Sequence, residues 1–329
     1  SADLDVTGLT FTKAFQPDAL TPVTEGVIAD VAGTVTGQGH IAWTRQAVTS
    51  NGVFRTHNTY LAAAFGPVTG LSGELRFTDL LGMISAPDQV ATVKTIDTGI
   101  AVSDGVVHYQ LLGPQRIQVT DARWPFAGGR LDLAPTLLDF ADPGGRHLTF
   151  RLTGVDAAQF LQQFDFKNLN ATGVFDGTLP MIFDVNGGRI EHGELHVRPG
   201  GGTLAYVGQV TKEDVGTWGN LAFQALKSLR YRNLDLTLNG PLAGEVITEA
   251  HFAGVSQGEG TKSNFLIRRL QRLPFVFNVK IRAPFRSLLD SAQSFYDPTL
   301  LVKRNLPALI RQQNDANQPV QPPASETKP

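Results

Sequence analysis

Phe275-Val276-Phe277-Asn278-Val279-Lys280-Ile281-Arg282 reads as a strand with two unlike faces. Phe275, Phe277, Val279 and Ile281 fall on one side; Asn278, Lys280 and Arg282 fall on the other. Successive side chains of a strand point to opposite faces, so this segment has one apolar wall and one wet wall. The same alternation recurs in His147-Leu148-Thr149-Phe150-Arg151-Leu152, in Asn233-Leu234-Asp235-Leu236-Thr237-Leu238 and in Leu179-Pro180-Met181-Ile182-Phe183-Asp184-Val185. A chain that repeats the pattern this often predicts a long antiparallel sheet with one apolar face. What covers that face is the functional question.

Working outward, strand-like stretches are expected near 4–14, 27–36, 39–48, 55–64, 68–79, 90–102, 105–112, 115–123, 128–137, 146–154, 171–185, 187–198, 202–208, 231–239, 244–255 and 273–283. Asp104-Gly105, Gly128-Gly129 and Gly144-Gly145 supply hairpin chemistry, since glycine accepts positive φ. Three amphipathic helices are expected. The first opens at Asp156, with Phe160, Leu161 and Phe164 on one side. The second follows Thr211-Lys212-Glu213-Asp214, which resembles a capping box, and carries Val215, Trp218, Ala222, Ala225, Leu226 and Leu229 at helical spacing. The third follows Pro284, with Phe285, Leu288, Leu289, Ala292 and Phe295 in one stripe. Trp218, Leu226, Leu288 and Leu289 are the residues expected to cap the sheet's apolar wall. The pattern divides into β repeats over 1–145, a C-terminal β portion with helices over 146–310, and a disordered tail over 311–329. So many strands exceed the ~10 that an open sheet holds without curling or splitting, and at ~4.8 Å per strand they would extend roughly 75 Å. A closed barrel, two packed sheets and a long sheet curled into a trough are the options.

Composition narrows the chemistry. Hydrophobic residues make up 42% of the 329 and charged residues 18%, so most of the chain must fold. The formal charge of −2 comes with scattered basic residues, which argues against a nucleic-acid groove. The chain has no cysteine, which excludes disulfides, thiolate metal sites and a cysteine nucleophile, and suits an oxidising compartment. No run reaches the roughly 20 apolar residues a membrane helix needs. Ser1 is not a start methionine and residues 4–11 already read as strand, so the chain is expected to be a piece of something longer or a processed product.

His192-Gly193-Glu194-Leu195-His196 resembles a zinc-protease motif, but the glutamate sits one place late and the segment alternates like a strand. It reads as a solvated outer face. In Gly258-Glu259-Gly260-Thr261-Lys262-Ser263 a threonine intervenes before the lysine, so the phosphate-loop spacing fails. Gly70-Leu71-Ser72-Gly73 lacks the spacing of a nucleophile elbow. No acid–base pair can be nominated, so no enzyme, cofactor or metal is expected. Gly200-Gly201-Gly202 predicts a bulge, a close backbone approach or a loose loop. The aromatics of Arg123-Trp124-Pro125-Phe126 are expected to pack a corner.

Trp124-Pro125-Phe126-Ala127-Gly128-Gly129, Phe175-Asp176-Gly177-Thr178-Leu179-Pro180-Met181, Gly201-Gly202-Thr203-Leu204-Ala205-Tyr206, Ala225-Leu226-Lys227-Ser228-Leu229-Arg230-Tyr231 and Leu273-Pro274-Phe275-Val276-Phe277-Asn278-Val279 occur in that order. Together they resemble the C-terminal region of YdbH-type proteins, from roughly Gly70 to Leu301. These belong to the AsmA-like group of Gram-negative envelope proteins that includes TamB; an older label for the region is a dicarboxylate-transport domain. The resemblance implies a bridge-like lipid-transfer protein. Such a protein is held in the inner membrane by an N-terminal helix absent here and crosses the periplasm as a β-trough. It carries phospholipid towards the outer membrane. It also implies that the C-terminal end meets the outer membrane, in some members through a small lipoprotein that adds strands to the sheet edge.

Under that expectation the trough is lined by the in-register apolar sets. These are Leu75 and Phe77; Leu131 and Leu133; Leu148, Phe150 and Leu152; Leu179, Met181 and Phe183; Leu195 and Val197; Leu234, Leu236 and Leu238; and Phe275, Phe277, Val279 and Ile281. The competing reading is a non-transporting scaffold that docks a lipoprotein by strand addition, with the same residues forming a dry core.

Overall fold

The computed structural model describes residues 1–20, 28–63, 66–97, 101–142, 145–163, 169–184, 187–206, 229–241, 246–254, 256–257 and 275–281. In chain order the strands are β1 (Ala2–Phe11), β2 (Ile28–Trp43), β3 (Val48–Ala63), β4 (Gly66–Asp79), β5 (Ile84–Ser85), β6 (Gln89–Asp97), β7 (Ala101–Leu111), β8 (Arg116–Phe126), β9 (Gly129–Leu133) and β10 (Thr136–Asp139). After β11 (Arg146–Asp156) comes helix α1 (Ala157–Gln163). The rest are β12 (Leu169–Ala171), β13 (Val174–Asp184), β14 (Gly187–Val197), β15 (Gly202–Tyr206), β16 (Leu229–Tyr231), β17 (Asn233–Pro241), β18 (Val246–Ala253), β19 (Ser256–Gln257) and β20 (Phe275–Ile281).

Sixteen of these strands form one antiparallel sheet, in the order β1-β2-β3-β4-β6-β7-β8-β9-β11-β13-β14-β17-β18-β20, with β5 on β4 and β10 on β8. Spatial order follows chain order throughout. Among the described residues the two ends do not pair with each other, so the sheet is not closed and no barrel forms from these strands. A second sheet, β12-β15-β16-β19, is built from segments between the long strands. The ladder runs on across residue 145, where β11 pairs with β9.

The alternating pattern becomes burial in β6, whose Gln89, Ala91 and Val93 are buried while Val90, Thr92 and Lys94 are exposed. Buried apolar residues from β3 to β18 make one contiguous cluster, which also takes in Ala157 of α1 and Leu229 and Tyr231 of β16. The β8–β9 hairpin turns at Ala127 (φ 44°) and Gly128 (φ 76°), the two positive φ values of a type I′ turn.

Several expectations need correction. Two strands were expected over 27–36 and 39–48; they are one 16-residue strand, β2. Asp104-Gly105 is not a hairpin turn but lies inside β7, with Asp104 at φ 56°. About three helices were expected, and the described residues contain one α-helix, α1, beside a short 3-10 turn at Pro17–Ala19. The helix expected over 284–296, with Leu288 and Leu289, lies outside the described residues. So do Trp218 and Leu226 of the second helix and the tail over 311–329. The end of that second stretch is described, and there Leu229 belongs to β16 rather than to a helix.

The one helix is placed as its sequence predicts. Asp156 Oδ1 accepts a hydrogen bond from the Gln159 N–H at 2.9 Å, so Asp156 caps the first turn. Phe160 packs edge-on against Phe126, ring centroids 6.1 Å apart. Asp156→Ala should lower stability by about 0.5–2 kcal/mol in urea denaturation. No change would mean the cap is idle.

Inside several long strands one residue turns left-handed. Asn58 (φ 52°) in β3, Gly70 (φ 66°) in β4, Asp104 in β7 and Gly154 (φ 69°) in β11 lie along a single line across the sheet. Asn58 N–H donates to Ser72 Oγ at 2.9 Å. A Cβ on Gly70 would meet Lys94. Lys94 and Asp104 fall together in the gap between the pairs Val93↔Gly105 and Thr95↔Ser103. Pro125↔Arg130 and Arg130↔Thr153 carry the line to Gly154. Beside it, buried residues come three apart instead of two: Val93 and Ile96, Leu152 and Val155. Aligned bulges of this kind bend a sheet along one crease.

Candidate functional site

The ladder joins apolar residues of successive strands into rows that run across the sheet. One row passes from Val93 to Gly105, over which Trp124 lies. Trp124 pairs with Leu131, Leu131 with Leu152, Leu152 with Gly177, and Gly177 with Leu195. Leu195 then pairs with Leu236, Leu236 with Ala250, and Ala250 with Phe277.

A second row crosses every strand of the main path. It starts at Leu9 and runs through Val35, Thr56, Gly73 and Ala91 to Val107. Ala122, Leu133, Phe150 and Leu179 follow in register. At the irregularity between β13 and β14 the Leu179 side chain lies over Gly193, which pairs with Leu238. Thr248 and Val279 complete it. Neither row contains a charged residue.

The expected lining residues of β4 to β17 fall on this face. Phe77, Leu131, Leu133, Leu152, Leu179, Met181, Phe183, Leu195 and Leu234 are buried. Leu75, Leu148, Phe150, Val197, Leu236 and Leu238 are half-buried. Phe275, Phe277, Val279 and Ile281 take the ladder positions opposite Phe252, Ala250, Thr248 and Val246. Sequence reading missed Trp124, Ala122 and Val93. Trp124, expected at a packed corner, is 5% exposed in the middle of the first row, its ring 6.5 Å from that of Phe150. The signal was present in Trp124-Pro125-Phe126, whose aromatics stand two apart.

The opposite face is charged. Arg55 and Glu74, Arg123 and Asp121, Arg130 and Asp132, and His196 and Asp235 pair across it at 2.6–2.9 Å. Exposed pairs of this kind contribute little stability; their effect is to keep the face wet. His196 and Glu194 belong here as expected, whereas His192 sits on a bulge at φ 54° and its N–H donates to Asn239 Oδ1. Among the described residues no three metal-capable side chains gather. An open cleft of about 510 Å³ over β1–β4 is lined by Asp5, Gln38, Val53, Arg55 and Arg76, whose register places it on this charged side. The segment 258–263 lies outside the described residues.

Two polar arrangements hold the wall in shape. Gly201 (φ 64°) and Gly202 pass so close to Tyr231 and Thr172 that a Cβ on either would strike backbone, which is one of the three readings the glycine run left open. The Tyr231 hydroxyl donates to Thr172 O at 2.6 Å, and burial pushes its pKa up to about 12. At Gly154, Asp176 accepts from the backbone N–H at 2.7 Å and takes a forked pair of hydrogen bonds from Arg198 at 2.7 and 2.8 Å. Those Arg198 bonds first, and the Gly154 bond after them, lower the Asp176 pKa. A carboxyl lowered in the folded state stabilises above its unfolded pKa and loses that contribution as pH falls through the folded value. Asp176→Asn should therefore flatten the acid limb of stability against pH; an unchanged limb would show the pair to be inert.

The fold and this face define an open antiparallel sheet with one charged side and one side that is mainly apolar. The family model for YdbH-like intermembrane phospholipid transport proteins matches residues 1–307, and the chain belongs to that family. The match takes in β1–β3, for which sequence reading found no motif. No curated protein and no solved structure matches the chain. Membership supports a lipid-transport role in a two-membrane envelope. No helix among the described residues is long and apolar enough to cross a membrane.

Proposed function

We propose that this chain carries phospholipid by sheltering acyl chains against the apolar face of the large sheet, folded along its crease into a trough. The supporting observation is the uncharged row from Leu9 to Val279. Rows run along the hydrogen-bonding direction, so they lie along the trough's axis. Fourteen strands in succession extend roughly 62 Å at ~4.8 Å per step. Each methylene removed from water contributes about 0.8 kcal/mol, so a continuous apolar wall lowers the barrier to aqueous transit while headgroups stay in water at the mouth. No catalytic group is needed for that. In the full-length protein the path would lead from the inner membrane towards the outer one, through the periplasm.

A second reading has its own support. Among the described residues β20 pairs only with β18, leaving at the C-terminal end of the sheet an edge that a strand of a small lipoprotein could extend. A scaffold of that kind would carry no lipid. Photo-reactive residues placed at Phe150, and separately at its outward neighbour Thr149, separate the two in cells. Phospholipid adducts at Phe150 and few at Thr149 are expected of a conduit. Equal adducts, or none at either, would end the proposal.

A further inference from the structure

Bulky side chains of the apolar face lie across glycines of the neighbouring strands. A Cβ on Gly105 would overlap the Trp124 indole at Nε1 and Cδ1 and approach Val93 Cγ2 to 2.8 Å. A Cβ on Gly193 would meet Leu179 Cδ2 and Ile190 Cγ2, each at 2.8 Å. In both cases the three nearest atoms are side-chain atoms, not backbone. Neither glycine has a positive φ, so the backbone does not require glycine at either place. Glycine inside a strand costs about 0.5–1 kcal/mol relative to alanine, and it marks a spot where another group comes close. Here that group is a large neighbour folded down onto the sheet. Among the described residues the indole N–H has no acceptor, so no hydrogen bond holds the ring in place. The gap over Gly105 does.

We propose that Gly105 and Gly193 are positioning residues that set the clearance of the acyl-chain path. By seating Trp124 and Leu179 flat, they keep the indole and the isobutyl group out of the space that lipid tails occupy. A methyl group at either position leaves the neighbour nowhere to lie, and it must swing outward from the wall. The inference rests on the conduit reading and adds which residues govern what can pass.

The test uses the purified full chain, with bound phospholipid per chain counted by mass spectrometry and folding followed by thermal melting. Wild type, Gly105→Ala and the double variant Gly105→Ala/Trp124→Leu are compared. Gly105→Ala is expected to melt cooperatively yet lose most of its lipid, and the double variant to regain it. Wild-type loading in Gly105→Ala would overturn the inference and leave the conduit standing. Loss that Trp124→Leu does not rescue would also overturn it, since Gly105 would then be merely structural. Should Gly105→Ala fail to fold, Gly193→Ala against Gly193→Ala/Leu179→Ala is read by the same rule. A wild-type chain without lipid is a different failure: it removes the conduit reading itself.

Discussion

Leu152→Ala is expected to lower the free energy of unfolding by about 2–5 kcal/mol, the range for truncating a closed-in leucine. Leu152 is 2% exposed and stands in the first row between Leu131 and Gly177. Its neighbours cannot collapse into the gap without breaking register, because each is fixed by its own ladder. Urea denaturation reads the effect directly. A change within about 0.5 kcal/mol, as surface positions give, would mean that the row is not packed at its centre.

Phe150→Asp should have the larger functional effect and the smaller structural one. Phe150 is half-buried, so a carboxylate there can reach water in the empty protein. With an acyl chain against the wall it cannot. An aspartate in a hydrocarbon setting costs about 2.5–3.5 kcal/mol, so lipid occupancy should fall by about a hundredfold. Thr149→Asp changes charge equally one position along, on the wet face, and should leave occupancy as it was. If Phe150→Asp folds and keeps its lipid, the apolar face is not the path.

Most of the strands, and the identity of the apolar side, were legible because alternation is a local property. Leu148, Phe150 and Leu152 announce one face of β11 with no knowledge of its partners. Where each strand stops was less legible. Asp104-Gly105 has the residues of a turn, yet a bulge inside β7 uses the same left-handed backbone, so local chemistry cannot separate the two. Leu229 followed the helical spacing of the stretch before it, but pairing with β15 and β19 makes it strand. The alignment of the left-handed residues was invisible because it arises only when Asn58, Gly70, Asp104 and Gly154 are brought into line by registers that no single segment encodes. The glycine seats were hidden for the same reason: Gly105 and Trp124 are 19 residues apart in the chain.

Because every strand touches mainly the strands before and after it, span and girth are separate properties of this architecture. Removing one complete hairpin, such as the β2–β3 pair, would shorten the protein by about 10 Å without narrowing it. Longer or shorter relatives could thus arise by duplicating or deleting hairpins. Selection could tune reach while leaving the cross-section of the sheet untouched.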